Sequence, residues 1–127
     1  MEKVVIRTEA APAPFQGAPY NQAIRAGELV FVAGQLGLKP GDGAVEGDIA
    51  VQTEQVMQNL SAILDAAGSS LANLVKTTVY LVDLGDFAAM NEVYARHVGD
   101  RPPARATIEI SKLPSGALVE IEAVAHT

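Results

Sequence analysis

The sequence contains no cysteine and no tryptophan, and only two histidines, His97 and His126. Without cysteine there are no disulfides and no thiolate metal sites. Two separated histidines make no paired ligand motif, so a zinc site is not expected either. Cations are scarce: nine Lys and Arg stand against fifteen Asp and Glu, for a net charge of −6 and a pI near 4.7. Nucleic-acid backbones need clustered Lys and Arg, and these nine are scattered, which argues against a general nucleic-acid binder. The same balance is compatible with a small anionic ligand held by one or two arginines. No apolar run approaches the roughly 18 residues of a membrane span. The opening "MEKVVIRTEAAPAP" has too short an apolar run for a secretory signal. A cytoplasmic protein with no membrane partner is the expectation. The loop "GLKPGDGAVEGD" lacks the Gly-Lys-Ser/Thr ending of a phosphate-cradling loop and the acidic ladder of a calcium loop. No Gly-x-Ser-x-Gly elbow is present for acyl transfer.

What is present fits one domain spanning residues 1–127. The composition is 49% hydrophobic and 19% charged, an ordinary globular balance for 127 residues. Residues 3–7 read as a short strand, followed by a Pro- and Gly-rich connection. "YNQAIRA", Gly27-Glu28 and "LVFVAGQL" read as a hairpin. From Asp48 the period changes: Ile49, Val56, Leu60, Ile63, Leu64 and Ala67 recur at helical spacing. Asp48 is the candidate N-cap of that helix and Gly68 its stop. Residues 74–83 read as a strand, Asp86 as the cap of a second helix over 87–98, residues 104–110 as a strand, and "LVEIEAVA" as the last strand. The order β-ββ-α-β-α-β-β predicts an α+β two-layer sandwich: a mixed six-stranded sheet with two helices on one face.

Alternation divides the last strands into faces. After the prolines of "RPPARATIEI", Ala106, Ile108 and Ile110 form an apolar set and Arg105, Thr107 and Glu109 the other. In the final strand Val119, Ile121, Ala123 and Ala125 oppose Glu120 and Glu122. Placing both apolar sets under the helices turns Arg105 and Glu120 together onto the uncovered face. There the pair reads either as a structural ion pair or solvated charged face, or as a carboxylate-binding arginine beside a water-positioning glutamate. Arginine suits the first of these chemical roles because its planar fork bonds both carboxylate oxygens. Glutamate suits the second because it accepts a proton from water and returns one to a leaving nitrogen. The uncovered face also carries apolar groups, which makes it a candidate oligomer interface.

"PARATIEISKLPSGALVEIEAVA", with "APYNQAIRAGELVFVAGQ", "GDIAVQTEQVMQNLSAILDAAG", "LVKTTVYLVDLGDFAAMNEVY" and "RPPAR", closely resembles the reactive intermediate deaminase (YjgF/YER057c/UK114) family, over nearly the whole chain. The resemblance implies a chorismate-mutase-like fold, a homotrimer with sites in the clefts between subunits, and no cofactor. It also implies hydrolysis of 2-imino acids or their enamine tautomers to 2-oxo acids and ammonia. Carried over residue by residue, Arg105 would clamp the substrate carboxylate and Glu120 would orient the attacking water. Tyr20 would line the cleft, and Asn91 would stand near it. This sequence departs from the common pattern at Ala33, where many members have serine, and at Thr107, where many bacterial members have cysteine. Gly17-Ala18-Pro19-Tyr20 also stands in place of the common Gly-Pro-Tyr. Ala33 and Thr107 keep open a second expectation, a trimer that binds small carboxylates without turnover. Reports of ribonuclease or translation-inhibiting activity in relatives supply a third, which the acidic balance disfavours.

Overall fold

A computed structural model describes residues 1–41 and 43–127. Asp42, within the loop read from residues 37–48, lies outside the described residues. Six strands and two long helices follow in the expected order: β1 (Lys3–Ile6), β2 (Ala23–Ala26), β3 (Leu29–Leu36), α1 (Ile49–Ala66), β4 (Leu74–Leu81), α2 (Phe87–Val98), β5 (Ala104–Glu109) and β6 (Val119–His126). The spatial order is β1-β2-β3-β6-β4-β5. Only β4 and β5, joined through α2, pair in parallel; β6 inserts antiparallel between β3 and β4. The β-α-β connection requires a long crossover, which α2 supplies.

Local chemistry accounts for the element ends. Ala26 pairs with Leu29, so Gly27-Glu28 is a two-residue turn. Gly27 takes φ 60°, the left-handed value that the first position of a type II′ hairpin turn needs. At the start of α1 the Asp48 carboxylate accepts from the Val51 N–H at 3.1 Å, an N-cap as expected. Gly68, with φ 78°, follows its last turn. Asp86 stands at the cap position of α2 but makes no side-chain capping bond. The Asp83 carboxylate instead accepts from Gly85 N–H at 2.7 Å, stabilising a tight turn over Leu84–Asp86 from which α2 continues.

The core lies between the helices and one sheet face. Val56, Met57, Leu60, Ile63 and Leu64 of α1 and Met90 and Tyr94 of α2 are buried there. They meet Val30 and Val32 of β3, Val79 and Leu81 of β4, and Val119, Ile121, Ala123 and Ala125 of β6. Each large aliphatic side chain fully withdrawn from water contributes about 1.5–3 kcal/mol before the entropy of ordering is set against it. One polar group in this layer is structural. Asn59, buried on α1, donates to the carbonyls of Leu36 and Leu38 at 3.1 and 2.9 Å, satisfying the chain where β3 ends. Its own carbonyl accepts from Gln55 at 2.9 Å. At the outer surface, His97 of α2 meets Glu54 of α1 at 2.8 Å, and this hydrogen bond is the main reason the Glu54 carboxyl is held below its usual range.

The faces of β6 follow the expectation: Glu120 and Glu122 turn away from the helices. Those of β5 are reversed. Arg105 pairs with Thr77 and Thr107 with Val79, both core-facing, so Arg105 and Thr107 point to the helix side. Ala106 and Ile108, paired with Thr78 and Tyr80, occupy the open face, where Ile108 is 44% exposed. The physical reason is position in the sheet. β5 is the edge strand, and the helix surface above it is made of the Phe87 and Tyr94 rings, on which a guanidinium packs well. Leu29 and Phe31 join Ile108 among the exposed apolar side chains.

Asn59→Ala leaves two carbonyls at the end of β3 without their donor. We expect a loss of roughly 2–4 kcal/mol in unfolding free energy, since each stranded buried group costs about 1–3 kcal/mol. Urea unfolding followed by circular dichroism measures it, and a loss below about 1 kcal/mol would show that water replaces the amide.

Candidate active site

The six residues singled out in the sequence fall into two hollows on opposite sides of the sheet. Glu120, Ala33 and Tyr20 share one with Gly34. Arg105 and Asn91 line the other, and Thr107 is on the same face of β5 as Arg105. The expectation that Arg105 and Glu120 share a face of one chain is therefore corrected.

The Glu120 hollow is built on an irregularity in β3. Its register with β6 shifts between Val32 and Gln35, so Ala33 and Gly34 bulge from the ladder. The Ala33 N–H is bonded to the Gln22 carbonyl at 2.9 Å, and the Gln35 amide returns to the Ala33 carbonyl at 3.1 Å. Gly34 lies directly against the glutamate: a Cβ there would come within 2.8 Å of the Glu120 carboxyl carbon. Gly34 is thus a site residue that the sequence reading missed. A glycine inside a strand is the signal for such a bulge or close approach.

The carboxyl of Glu120 is half-buried, and that desolvation, followed by the charge of Glu122, raises its pKa above the ordinary glutamate value. Across the same face, the Tyr80 hydroxyl is pushed up by burial and by the charge of Glu122. A carboxyl kept partly out of water, with its pKa raised, is suited to exchanging protons with a bound water.

The outer wall of the hollow comes from the irregular segment between β1 and β2. Buried Gln22 staples it: its amide donates to the carbonyls of Thr8 at 3.0 Å and Pro12 at 2.8 Å, and its carbonyl accepts from Thr8 N–H at 2.7 Å. Tyr20 closes the wall, its hydroxyl accepting from Phe15 N–H at 2.6 Å. Two tight turns bring up Phe15 and Pro114, and each contains a non-glycine residue with positive φ: Gln16 at 53° and Ser115 at 58°. No other described non-glycine residue has positive φ. Such backbone strain is concentrated at functional sites because the surroundings must hold it in place. The cavity so enclosed measures about 370 Å³, within the range of small-molecule sites.

On the other side, the Arg105 guanidinium lies 4.9 Å from the Tyr94 ring centre and 5.5 Å from that of Phe87. The Tyr94 hydroxyl is fixed by a 2.6 Å hydrogen bond to the Thr77 hydroxyl. No carboxylate among the described residues pairs with Arg105. Two buried oxygens nearby in the fold, Asn91 Oδ1 and Thr107 Oγ1, have no hydrogen-bond partner. Aromatic faces orient a guanidinium without neutralising it, so its N–H fork stays available for an anion. Among the described residues, no three His, Asp or Glu side chains converge as metal ligands. No helix there is long and apolar enough to cross a membrane.

Gln22→Ala removes the staple while leaving both hollows' chemical groups in place. Amide exchange at Thr8, whose N–H bonds to that side chain, should accelerate at least about tenfold for the loss of one net hydrogen bond of about 1.5 kcal/mol. Unchanged exchange at Thr8 would show that the wall is held by packing alone.

Comparison with known proteins follows this geometry. The Endoribonuclease L-PSP family model matches residues 8–127. A RutC family protein of Pyrococcus horikoshii is 54% identical, covering 98% of each chain. The chloroplastic Reactive Intermediate Deaminase A of Arabidopsis thaliana is 45% identical over 98% of this chain and 66% of its own. The crystal structure of RidA from an Antarctic Psychrobacter superposes with a TM-score of 0.94 at 40% identity, covering 98% of this chain and 99% of that one. With a family match across nearly its full length and relatives of this similarity, the chain belongs to the YjgF/RidA family of reactive intermediate deaminases.

Proposed function

We propose that this protein hydrolyses 2-imino acids such as 2-iminobutanoate and 2-iminopropanoate, and their enamine tautomers, to 2-oxo acids and ammonia, as a cytoplasmic homotrimer. The observation that carries the reading is Arg105, held over two aromatic rings with no ion-pair partner among the described residues. The supporting comparison is the 45% identical reactive intermediate deaminase.

Arg105 and Glu120 open on opposite faces of one sheet, so a reaction that uses both takes them from two copies. Joining two different patches is a heterologous contact, which closes into a ring when the rotation allows. In a ring of three, the Arg105 hollow of each copy faces the Glu120 hollow of the next. The exposed apolar side chains Phe31 and Ile108 supply surface for such packing.

In that cleft the Arg105 fork takes the substrate carboxylate in bidentate fashion. Thr107 and Asn91 stand on the same side of the sheet as Arg105 with buried oxygens that have no hydrogen-bond partner. Glu120 accepts a proton from the water that attacks the imine carbon and returns it to the imine nitrogen, giving a tetrahedral amino alcohol. The hydroxyl proton then passes through Glu120 to the nitrogen as the C–N bond breaks, so that ammonia leaves and the carbonyl forms. No electron acceptor is needed. A positioned proton-transfer group of this kind contributes about 10²–10⁴-fold.

The family model's description as an endoribonuclease supports a second reading, RNA cleavage. Nine scattered cations and a net charge of −6 provide a poor phosphate track. RNA cleavage by metal-free, nuclease-free protein that disappears in Glu120→Gln would favour it.

Two measurements test the imine reading. Arg105→Ala and Glu120→Gln should each lose at least about 10²-fold in kcat/KM on imino acids generated in situ. Co-refolded as a one-to-one mixture, they should recover about one quarter of wild-type activity, because that fraction of all contacts unites an intact Arg105 with an intact Glu120. Absence of recovery in a mixture shown to exchange subunits would place the chemistry within one chain. Glu122→Gln removes a neighbouring charge that raises the Glu120 pKa. Activity needs Glu120 ionised, so it falls as pH drops through that pKa. A lower pKa therefore moves the acid limb of kcat/KM to lower pH, and an unmoved limb would remove Glu120 as the titrating base.

A further inference from the structure

We infer that the cavity beside Glu120 receives the substrate side chain and selects 2-imino acids with bulky apolar side chains, of leucine size or larger, over those derived from alanine. The inference rests on the imine reading above and deepens it. An imine carbon carries three substituents: nitrogen, carboxylate and side chain. With the carboxylate on Arg105 of a neighbouring copy and the imine carbon presented to the water on Glu120, the side chain takes the space left beside Glu120.

In one copy, before a neighbour closes over it, that hollow measures about 370 Å³, far more than a methyl group fills. Its walls are Phe15, Leu36, Leu38, Pro114, Tyr20 and the Ala33 methyl. Leu36, Leu38 and Ala117 form a small buried cluster of their own, with Phe15 and Leu113 packed against it, so the apolar wall is backed by fixed neighbours. Few polar groups line it, and two are partly engaged: the Tyr20 hydroxyl accepts from Phe15 N–H, and the Gln35 amide donates to the Ala33 carbonyl. A polar substrate side chain would therefore exchange its water for few partners. An acidic one would meet Glu120, the one charged side chain on the lining. An apolar one displaces water held by few partners, which favours binding.

The test uses the full chain and imines produced in situ by amino-acid oxidases from alanine, leucine and aspartate. The leucine-derived imine should exceed the alanine-derived one at least about tenfold in kcat/KM, since one methylene in an apolar pocket discriminates by about 10–200-fold. The aspartate-derived imine should fall below both. Calorimetry with the corresponding 2-oxo acids should show the same order without turnover. Equal or better rates with the alanine-derived imine overturn the inference while leaving the hydrolase reading intact. Tighter binding of the leucine-derived 2-oxo acid with no turnover of any imine supports the cavity's selectivity and overturns the hydrolase reading instead. Ala18→Phe, at an exposed position on the cavity mouth, should lower the leucine-to-alanine ratio several-fold. An unchanged ratio in this variant counts against the cavity as the selecting element.

Discussion

The alternation of β6 is the constraint on which the rest depends. Val119, Ile121, Ala123 and Ala125 are buried beneath the helices, and a one-residue slip would put Glu120 and Glu122 in their place. Burying two carboxylates without partners costs far more than the domain's margin of stability. The register is therefore fixed, and Glu120 is fixed with it on the open face. Because β6 lies between β3 and β4, this strand also decides what surrounds the glutamate: Leu36 and the Gly34 bulge on one side, Tyr80 on the other.

The two hollows treat charge in opposite ways. Glu120 is partly desolvated and stands near another carboxylate, so its proton is held more tightly than in water. Arg105 is oriented by ring faces, and among the described residues its charge has no ion-pair partner. Each arrangement is a cost to the isolated chain. On the proposed reading, both are relieved by a neighbouring copy that brings a cation towards the carboxylate and a substrate that brings a carboxylate to the arginine. The strained turns at Gln16 and Ser115 and the Gln22 staple belong to the same economy, because they hold a cavity wall that no helix or strand supports.

Much of the site was legible as residue types. Arg105 and Glu120 stood out because a charge inside a strand needs a reason, and Tyr20, Asn91, Ala33 and Thr107 followed from the family resemblance. Gly34 was visible as a glycine in a strand, although its contact with Glu120 was not. Gln22 gave no signal, since a glutamine before a short strand looks like any surface amide until three carbonyls converge on it.

The sequence by itself determined the order of elements, the limits of both helices to within a residue or two, and which side chains share a face of each strand, because periodicity and caps are local properties of the chain. Only the tertiary structure decided which face of β5 meets the helices. The rule that apolar residues turn inward fails at an edge strand, where the covering surface includes a pair of aromatic rings and the far side of the sheet also carries apolar side chains, Phe31 and Ile108 among them. That one choice places Arg105 and Glu120 on opposite faces of the sheet within one chain.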